Sequence, residues 1–526
     1  MGASFLATIR FDIYASAMTD VVERPVRWLK VLDQTRCIGC HACTTACKSE
    51  NQVPLGVTRT YVKSVDVGEF PQVRRSFQVT RCNQCTDAPC VTACPTEAMY
   101  KRPDGIVDFD KSICIGCKAC MAACPYDAIF INPEDHSAEK CNFCAHRIDG
   151  GLEPACVTVC PTEAILVGDM NDPTSKVAQA VKRQPALVRR PEKETGPGLF
   201  YLGAHQATLD PLGAKRPEGG LYAWSTQGPP DPQLVPSGHP EGARSSAAAL
   251  LSYDIPHYAP WGWRVSLYTW TKSIAAGAFL VAVLFALTGL MAWDDPVTRY
   301  VAPLLALVFL GITGVLLIWD LKHPFRFWLI FTRHQWRSWL VRGSFIIGAF
   351  GAAASASLVV GFFDLLTAQQ VIGVIGAVTG LATACYTAYL FAQAKARDLW
   401  QSPLLPAHLA VQAVLAGAAS LLPFALAMAA QSSVHALEVV LAVSAAAHLL
   451  LVWTETTLPH VTAHARLAGH EMTRGRFATF FRVGLVGVLV SVAAPLIGVV
   501  AVPFALIGLL AHEHAYVQAG QSVPLA

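Results

Sequence analysis

The chain predicts an α+β domain of short strands and cysteine-bearing loops, followed by an all-α bundle of eight membrane-crossing helices. Three features of its 526 residues carry this. Sixteen of the seventeen cysteines fall between Cys37 and Cys160, in four groups of four. From Trp261 onward one apolar run follows another, each near the about 20 residues that cross a bilayer. Between these regions lies a stretch rich in Pro, Gly and Ser. With 53% hydrophobic and 15% charged residues the chain is too apolar for an ordinary soluble protein. A formal net charge of +3 singles out no class of partner and gives no reason to invoke nucleic acid.

The cysteine groups are Cys37, Cys40, Cys43 and Cys47; Cys82, Cys85, Cys90 and Cys94; Cys114, Cys117, Cys120 and Cys124; and Cys141, Cys144, Cys156 and Cys160. Each ends with a three-residue gap, and three end in Cys-Pro, at Pro95, Pro125 and Pro161. A cubane needs four thiolates converging from different directions, and one turn of C-x2-C-x2-C supplies three. In two-cluster ferredoxins the cysteine after the gap ligates the other cluster of the pair. Four such motifs imply four [4Fe-4S] clusters in two interlocked pairs, on ferredoxin-like modules. Zinc ribbons or a disulfide framework would not explain the three-plus-one spacing.

This stretch resembles the four-cluster electron-transfer subunit of molybdopterin oxidoreductases, the type found in dimethyl sulfoxide, polysulfide, tetrathionate and nitrate reductases. In that family the first and fourth motifs pair, as do the second and third. The resemblance implies that Cys37, Cys40, Cys43 and Cys160 hold the cluster nearest a catalytic partner, and Cys141, Cys144, Cys156 and Cys47 the next. Cys82, Cys85, Cys90 and Cys124 follow, and Cys114, Cys117, Cys120 and Cys94 hold the cluster nearest the membrane. Some relatives replace the second ligand of that last motif and carry three irons there; Cys117 implies four.

In chain order, residues 1–30 show no signal-peptide layout, because Phe11, Asp12 and Asp20 interrupt any apolar core, and no twin arginine. The expectation is a chain without an export signal of its own. Residues 1–205 form the cluster domain, with short strands at Gly105–Phe109 and Ala128–Ile131 after the cysteine turns. Metal–ligand free energy would be a large part of its folding free energy. Residues 206–260, centred on Gly228–Pro232, read as an extended linker, since such composition buries little apolar surface.

Residues 261–526 form the membrane domain. The expected spans are Ser266–Ala292, Tyr300–Trp319, Val341–Phe363, Val371–Ala392, Leu404–Ala430, Val434–Thr454, Phe477–Ala494 and Ile497–Tyr516. The last two are separated by reading Pro495 as a turn; without that turn there are seven. Gly373, Gly376, Gly380 and Ala384 share one face of the fourth span, and Ser344, Gly348, Gly351 and Ser355 one face of the third, so both faces read as close helix packing. Cys385 reads as a small buried residue.

With eight spans, the loops on the cluster-domain side carry Lys322, Arg326, Arg333, Arg337, Arg342, Lys395, Arg397, Arg466, Arg474 and Arg476, against Arg299 opposite. The positive-inside rule then puts the cluster domain on the cytoplasmic side of a multi-pass inner-membrane protein. Tryptophan is similarly lopsided: Trp261, Trp263, Trp270, Trp319, Trp328, Trp336, Trp339, Trp400 and Trp453 map to the cluster side and Trp293 opposite. A lipid belt would occupy both faces, so a docking surface above an aromatic quinone entrance explains the imbalance better.

The run Asp320-Leu-Lys-His-Pro-Phe-Arg-Phe-Trp328, the stretch Lys272-Ser-Ile-Ala-Ala-Gly277 and the ending Val517-Gln-Ala-Gly-Gln521 resemble the polysulfide reductase membrane anchor of the NrfD type. The resemblance implies a quinone, menaquinone or ubiquinone, among the helices near the cluster-bearing face. It is contacted from the first span at the position occupied here by Tyr268. The residues point there independently. Tyr268 and Lys272 lie one helical turn apart, and an ionisable residue in an apolar span is a functional candidate. Asp320, Arg326, Tyr386 and Tyr389 fall at the same level. A quinone needs partners for its two carbonyls and a nearby proton donor or acceptor, so Tyr268 and Lys272 are the expected catalytic pair and all six residues the expected quinone site.

The chain therefore reads as a fused electron-transfer and membrane-anchor subunit, passing electrons between quinone and a separate molybdopterin-containing catalytic subunit. Nothing in the chain resembles a molybdopterin-binding chain or a nucleotide-binding loop. One alternative replaces the partner with a hydrogenase or multihaem cytochrome. Another makes the chain a proton-translocating module, with His448, Glu455 and Glu438 of the sixth span as its path.

Overall fold

The computed structural model describes residues 26–215, 233–235, 248–428 and 431–526. Residues 1–25 and Gly228–Pro232, on which the expectations about a leader and about the linker's centre rest, lie outside them.

The cluster domain is assembled from small sheets around the cysteine loops. Trp28–Asp33 runs parallel to Leu199–Leu202 and antiparallel to Ile165–Asp169, so the beginning and end of the domain close on each other. Thr60–Val67 and Arg74–Arg81 form its longest hairpin. Two further hairpins, Met99–Lys101 with Val107–Phe109 and Ile129–Ile131 with Ala138–Lys140, follow the second and third cysteine groups where short strands are expected. Short helical turns at Ala42–Glu50, Pro89–Ala93, Ala119–Ala123 and Ala155–Thr158 carry cysteines of all four motifs.

The stretch expected to be a linker is ordered wherever it is described. Ala249–Tyr253 adds a third strand to the Thr60–Val67 hairpin, burying Ala249 and Leu251, and Leu234–Val235 pairs with His257–Tyr258. The alternation of Ala249 and Leu251 is a one-sided strand signal inside a composition that otherwise reads as coil.

The membrane domain contains α1 (Trp263–Thr288), α2 (Ala302–Asp320), α3 (Trp339–Phe362), α4 (Leu366–Ala392), α5 (Leu405–Met428), α6 (Gln431–Thr457), α7 (Ala478–Ser491) and α8 (Ala501–Gln521). Seven helices are long and apolar enough to cross a membrane, α8 being counted with the turns that begin at Ala494; α7 is a shorter apolar helix. The chain turns between Ala494 and Val500, at the expected proline, and α7 and α8 pack antiparallel, with Gly484 against His512 and Gly487 against Gly508. A helix at Ala463–Thr473, which the apolar pattern does not signal, lies before α7.

Helix α1 is the axis of the bundle: 83% of its apolar window is buried, against 33%, 28% and 33% for α2, α3 and α6. It crosses α5 at Gly277 and Gly417, where backbones touch and a Cβ on either would strike the other helix. The small face of α4 packs as expected, with Gly373 on Trp293, Gly376 on Phe279 and Gly380 on Phe350. The small face of α3 does not. Of the glycines on that face only Gly351 meets a neighbour, Leu310 of α2; among the described residues nothing lies against Gly348, Ser355 is exposed, and α3 buries Gly343, Phe350 and Ala354 instead. Small residues permit close approach without requiring it, and the bulky Phe350 took the buried face.

Candidate metal centres and membrane site

None of the seventeen cysteines is paired in a disulfide. Cys37, Cys40, Cys43 and Cys160 line one small cavity, and Cys94, Cys114, Cys117 and Cys120 line another. Cys47 is surrounded by Cys141, Cys144 and Cys156, and Cys90 by Cys82, Cys85 and Cys124. The last cysteine of each motif thus crosses to a neighbouring motif, and the structure gathers the four sets that the family resemblance implies.

Burial pushes the Cys47, Cys85 and Cys124 thiols up to about 12, so these sulfurs become thiolates only when a cation holds them. Around Cys156 burial also opposes ionisation, but Arg81 and Lys30 outweigh it and bring the thiol down to about 7. Arg81 is buried and donates to the Cys156 sulfur at 3.0 Å, while its Nε and Nη2 have no partner among the described residues. A buried guanidinium facing sulfurs fits an anionic iron–sulfur group better than neutral thiols. Backbone amides point at sulfur as well, from Ala164 to Cys160 at 3.2 Å and from Met99 to Cys94 at 3.4 Å. Such hydrogen bonds tune a cluster's potential.

The quartet of Cys94, Cys114, Cys117 and Cys120 sits against the membrane domain. The Trp261 indole donates to Cys117 O at 3.1 Å, Arg326 donates to Lys111 O and Cys114 O at 3.0 Å, and Ser338 donates to Ala93 O at 2.9 Å. Lys118 pairs with Asp320 at 2.9 Å, and the Lys322 and His323 amides bond Gly116 O and Ile115 O. Gly116 adopts φ of +67°, and a Cβ on it would lie 2.5 Å from Lys322 Cβ. Below this contact Trp261 stacks on Trp400, and Trp400 on Phe391. Trp261 and Trp400 are buried there, Trp263 and Trp319 are half-exposed at the rim of the seam, and Trp328, Trp336 and Trp453 are exposed on the surface of the bundle. The tryptophan imbalance therefore combines a docking core with an outward-facing belt.

The six residues expected at the quinone site separate into groups. Tyr268, Lys272 and Tyr386 are buried together: the Lys272 ammonium donates to Ala384 O at 2.9 Å and Thr387 Oγ1 at 2.6 Å, and lies 5.0 Å from the Tyr386 ring centre. Glu513 of α8 approaches from the other side, accepting from Thr269 at 2.6 Å. Asp320 sits at the seam, paired with Lys118 of the cluster domain at 2.9 Å. Arg326 is committed to the cluster domain. Tyr389 stacks on Trp339 with its ring centre 4.5 Å away and is largely exposed. A cavity of about 630 Å³ occupies the seam between the domains, walled by Lys118, Asp127, His257, Trp263, Trp319 and Asp320.

Glu438 lies away from His448, beside His435 and Gly498 at the far end of α6. His448 and Glu455 instead meet His408 of α5. The sequence reading did not single out His408, His512 or Glu513, although each is an ionisable residue inside an apolar run, the same signal that picked out Lys272.

Residues 73–170 match the 4Fe-4S dicluster domain family, and residues 254–517 match the family described as polysulphide reductase, NrfD. Among curated proteins, the chain is 43% identical over 205 residues to a protein NrfC homolog of Haemophilus influenzae, spanning 38% of this chain and 91% of that protein. It is 44% identical over 194 residues to a tetrathionate reductase subunit of Salmonella typhimurium (35% of this chain, 76% of that protein). It is 45% identical over 173 residues to a polysulfide reductase component of Wolinella succinogenes (32% of this chain, 91% of that protein).

Proposed function

Because this protein belongs to the polysulphide reductase NrfD family and joins to that membrane module the iron–sulfur subunit of reductase complexes, we propose that it carries electrons between membrane quinone and a separate molybdopterin-containing catalytic subunit through four [4Fe-4S] clusters. The observation that carries this is the seam itself. The quartet of Cys94, Cys114, Cys117 and Cys120 rests on Trp261, immediately before α1, and α1 bears Tyr268 and Lys272 about two and three turns further on. Bound clusters pass electrons singly, so a chain of quartets ending over a quinone pocket matches a two-electron carrier to a one-electron wire.

The quinone head group is assigned to the corner between Asp320, on the wall of the seam cavity, and the buried Tyr268, with Lys272 and Tyr386 deeper in the bundle. A phenol and an ammonium one turn apart can hydrogen-bond a quinone carbonyl and exchange its proton. Catalysis on the substrate belongs to the partner, for which the quartet of Cys37, Cys40, Cys43 and Cys160, with Cys40 exposed, offers the outward end of the wire.

The membrane module crosses eight times on this reading, α7 being the shortest pass. The Trp261 amide bonds the Gln521 side chain at 3.1 Å, and an even number of crossings returns the chain to the side from which it set out. The cluster domain faces the cytoplasm by its basic loops.

The test is to purify the complex from membranes, identify the co-purifying chains, count iron, and assay quinone-linked turnover. About sixteen irons per chain and a molybdopterin subunit support the proposal. A hydrogenase or multihaem cytochrome in its place would replace the partner while leaving the wire. About eight irons would remove two of the clusters.

A further inference from the structure

We propose that His408 of α5, His448 of α6 and His512 of α8 form a site for one Zn²⁺-class divalent cation inside the membrane bundle, separate from the iron–sulfur quartets and independent of the quinone reading. All three imidazoles are almost completely buried. Their candidate donor nitrogens lie within 4.8 Å of one another, and His408 Nε2 and His448 Nδ1 are 2.9 Å apart. Three imidazoles around a tetrahedral ion at about 2.0–2.1 Å put their ring centres about 5 Å apart. The ring centres here are separated by 4.8 Å (His408 and His448), 5.6 Å (His408 and His512) and 4.7 Å (His448 and His512).

The surroundings supply what a metal site needs beyond its ligands. Glu455 lies 3.2 Å from His408 Nδ1 and so fixes the tautomer that leaves the Nε2 lone pair pointing at the other two rings. A carboxylate behind a histidine is the usual support of an imidazole ligand. His408, His512, Gln412 and Glu513 border a small cavity, and both Gln412 Oε1 and Glu513 Oε1 are buried without a partner among the described residues. Two orphaned acceptors beside three imidazoles call for a donor between them, which a water on the fourth coordination position provides. Glu455 and Glu513 together balance a double positive charge in a medium that penalises net charge. A second cavity of about 460 Å³, lined by Asp398, Glu455, His460 and Tyr516, reaches Glu455 and offers the access path.

The ion would tie three helices together at the cluster-facing end of the bundle. Its bound water would face Glu513, which is hydrogen-bonded to Thr269 beside the Tyr268 and Lys272 pair.

The test uses the full chain in its purified complex, washed with a chelator, analysed for first-row metals, then incubated with Zn²⁺ and measured again. The expected result is about one zinc per chain, with a zinc-edge absorption spectrum fitting three imidazole nitrogens and one oxygen. His408→Gln, His448→Gln and His512→Gln should each lose the zinc while iron content stays unchanged, which keeps a metal effect apart from misfolding. Glu455→Gln should keep the fold and weaken retention about 10–100-fold. Zinc absent both before and after incubation overturns the proposal, as does zinc retained when all three histidines are replaced. Loss of quinone turnover in the histidine variants with no zinc in the parent chain also overturns it, in favour of a hydrogen-bonded proton relay.

Discussion

At the end of the bundle that carries the cysteine domain, Trp261, Asp320, Arg326 and Ser338 are all engaged by the other half of the chain. At the far end, the ion pairs among the described residues are Arg299 with Asp364 and His435 with Glu438, and neither involves the cluster domain. Both ends close loops, but one of them also holds a redox domain in register. Charge at the cluster end therefore has two uses. Arg326, Lys395, Arg397 and Arg476 bond the cluster domain or neighbouring backbone and carboxylates, and would be needed on whichever side they faced. Arg342 and Arg466 likewise bond backbone, at Trp336 O and His460 O, and Lys322, Arg333, Arg337 and Arg474 still outnumber Arg299 once all of these are set aside.

The comparison breaks most severely at Gly116. Its positive φ and its contact with Lys322 leave no room for a side chain, so Gly116→Val combines a left-handed strain of about 1–2 kcal/mol with overpacking of about 1–3 kcal/mol. Quinone-linked reduction of the clusters should fall by more than about tenfold as the seam opens. Total iron should stay near the parental value because the four cysteines of that quartet remain; parental turnover would detach the seam from the electron path. Next in size is Lys118→Met, which removes the ion-pair partner of the largely buried Asp320 carboxylate. Breaking such a pair costs about 3–5 kcal/mol when fully buried and less here, where both side chains keep about a tenth of their surface. Its measure is the temperature at which the two halves unfold, with Lys118→Met plus Asp320→Asn recovering part of the loss.

The quinone assignment gives a sharper contrast within the same end of the bundle. Tyr268→Phe and Lys272→Met should each lower kcat/KM for quinol by about 10–100-fold, the range for losing a positioned acid–base group. Tyr389→Phe, on a ring stacked on Trp339 at the exposed surface, should change it less than about twofold. Equal effects at all three positions would remove the distinction.

Much of this architecture is legible in the chain because cysteine spacing and apolar run length are local signals. The four cysteine motifs, the two small hairpins and the turn at Pro495 follow from spacing or run length of that kind, whereas which motifs share a quartet comes from the family resemblance. What is not legible depends on which face a helix turns inward. The small residues of α3 and α4 have the same pattern, yet the α4 set packs throughout, while of the α3 glycines in that pattern only Gly351 meets a neighbour and Phe350 takes the buried face. Arg326 and Tyr389 sit at the right depth but point away from Lys272, and depth is all that a span count provides. The three histidines come from three helices and meet only when α5, α6 and α8 are packed.

His257 offers a gentler probe of the seam. Burial opposes its charge, but Asp254 and Asp127 outweigh that and raise its pKa to about 10 from 6.5. Asp127 belongs to the cluster domain, at 2.5 Å from His257 Nδ1, and His257 lies shortly before α1. A raised pKa means the folded state holds the proton more tightly, so the stabilisation is complete below about pH 6.5 and disappears as pH rises through about 10. Thermal stability should decline across that window by about 1–3 kcal/mol in the parent chain and by much less in His257→Gln. A parallel decline in both would assign the pH dependence to other groups.

The smallest expected effect lies on the face of α3 that the sequence pattern would have closed. Gly348 and Ser355 have no packed neighbours there, so Gly348→Ala and Ser355→Ala should each shift stability by less than about 0.5 kcal/mol, apart from the gain in helix propensity at Gly348. Gly376→Ala on α4 makes the same chemical change against the Phe279 ring, which must move to admit the methyl group, and should cost about 1–3 kcal/mol. Measuring unfolding of the three variants in one detergent compares the two faces directly. A cost at Gly348 equal to that at Gly376 would mean that the α3 face is covered in the assembled complex, and its small residues would then be serving the close approach their pattern suggests.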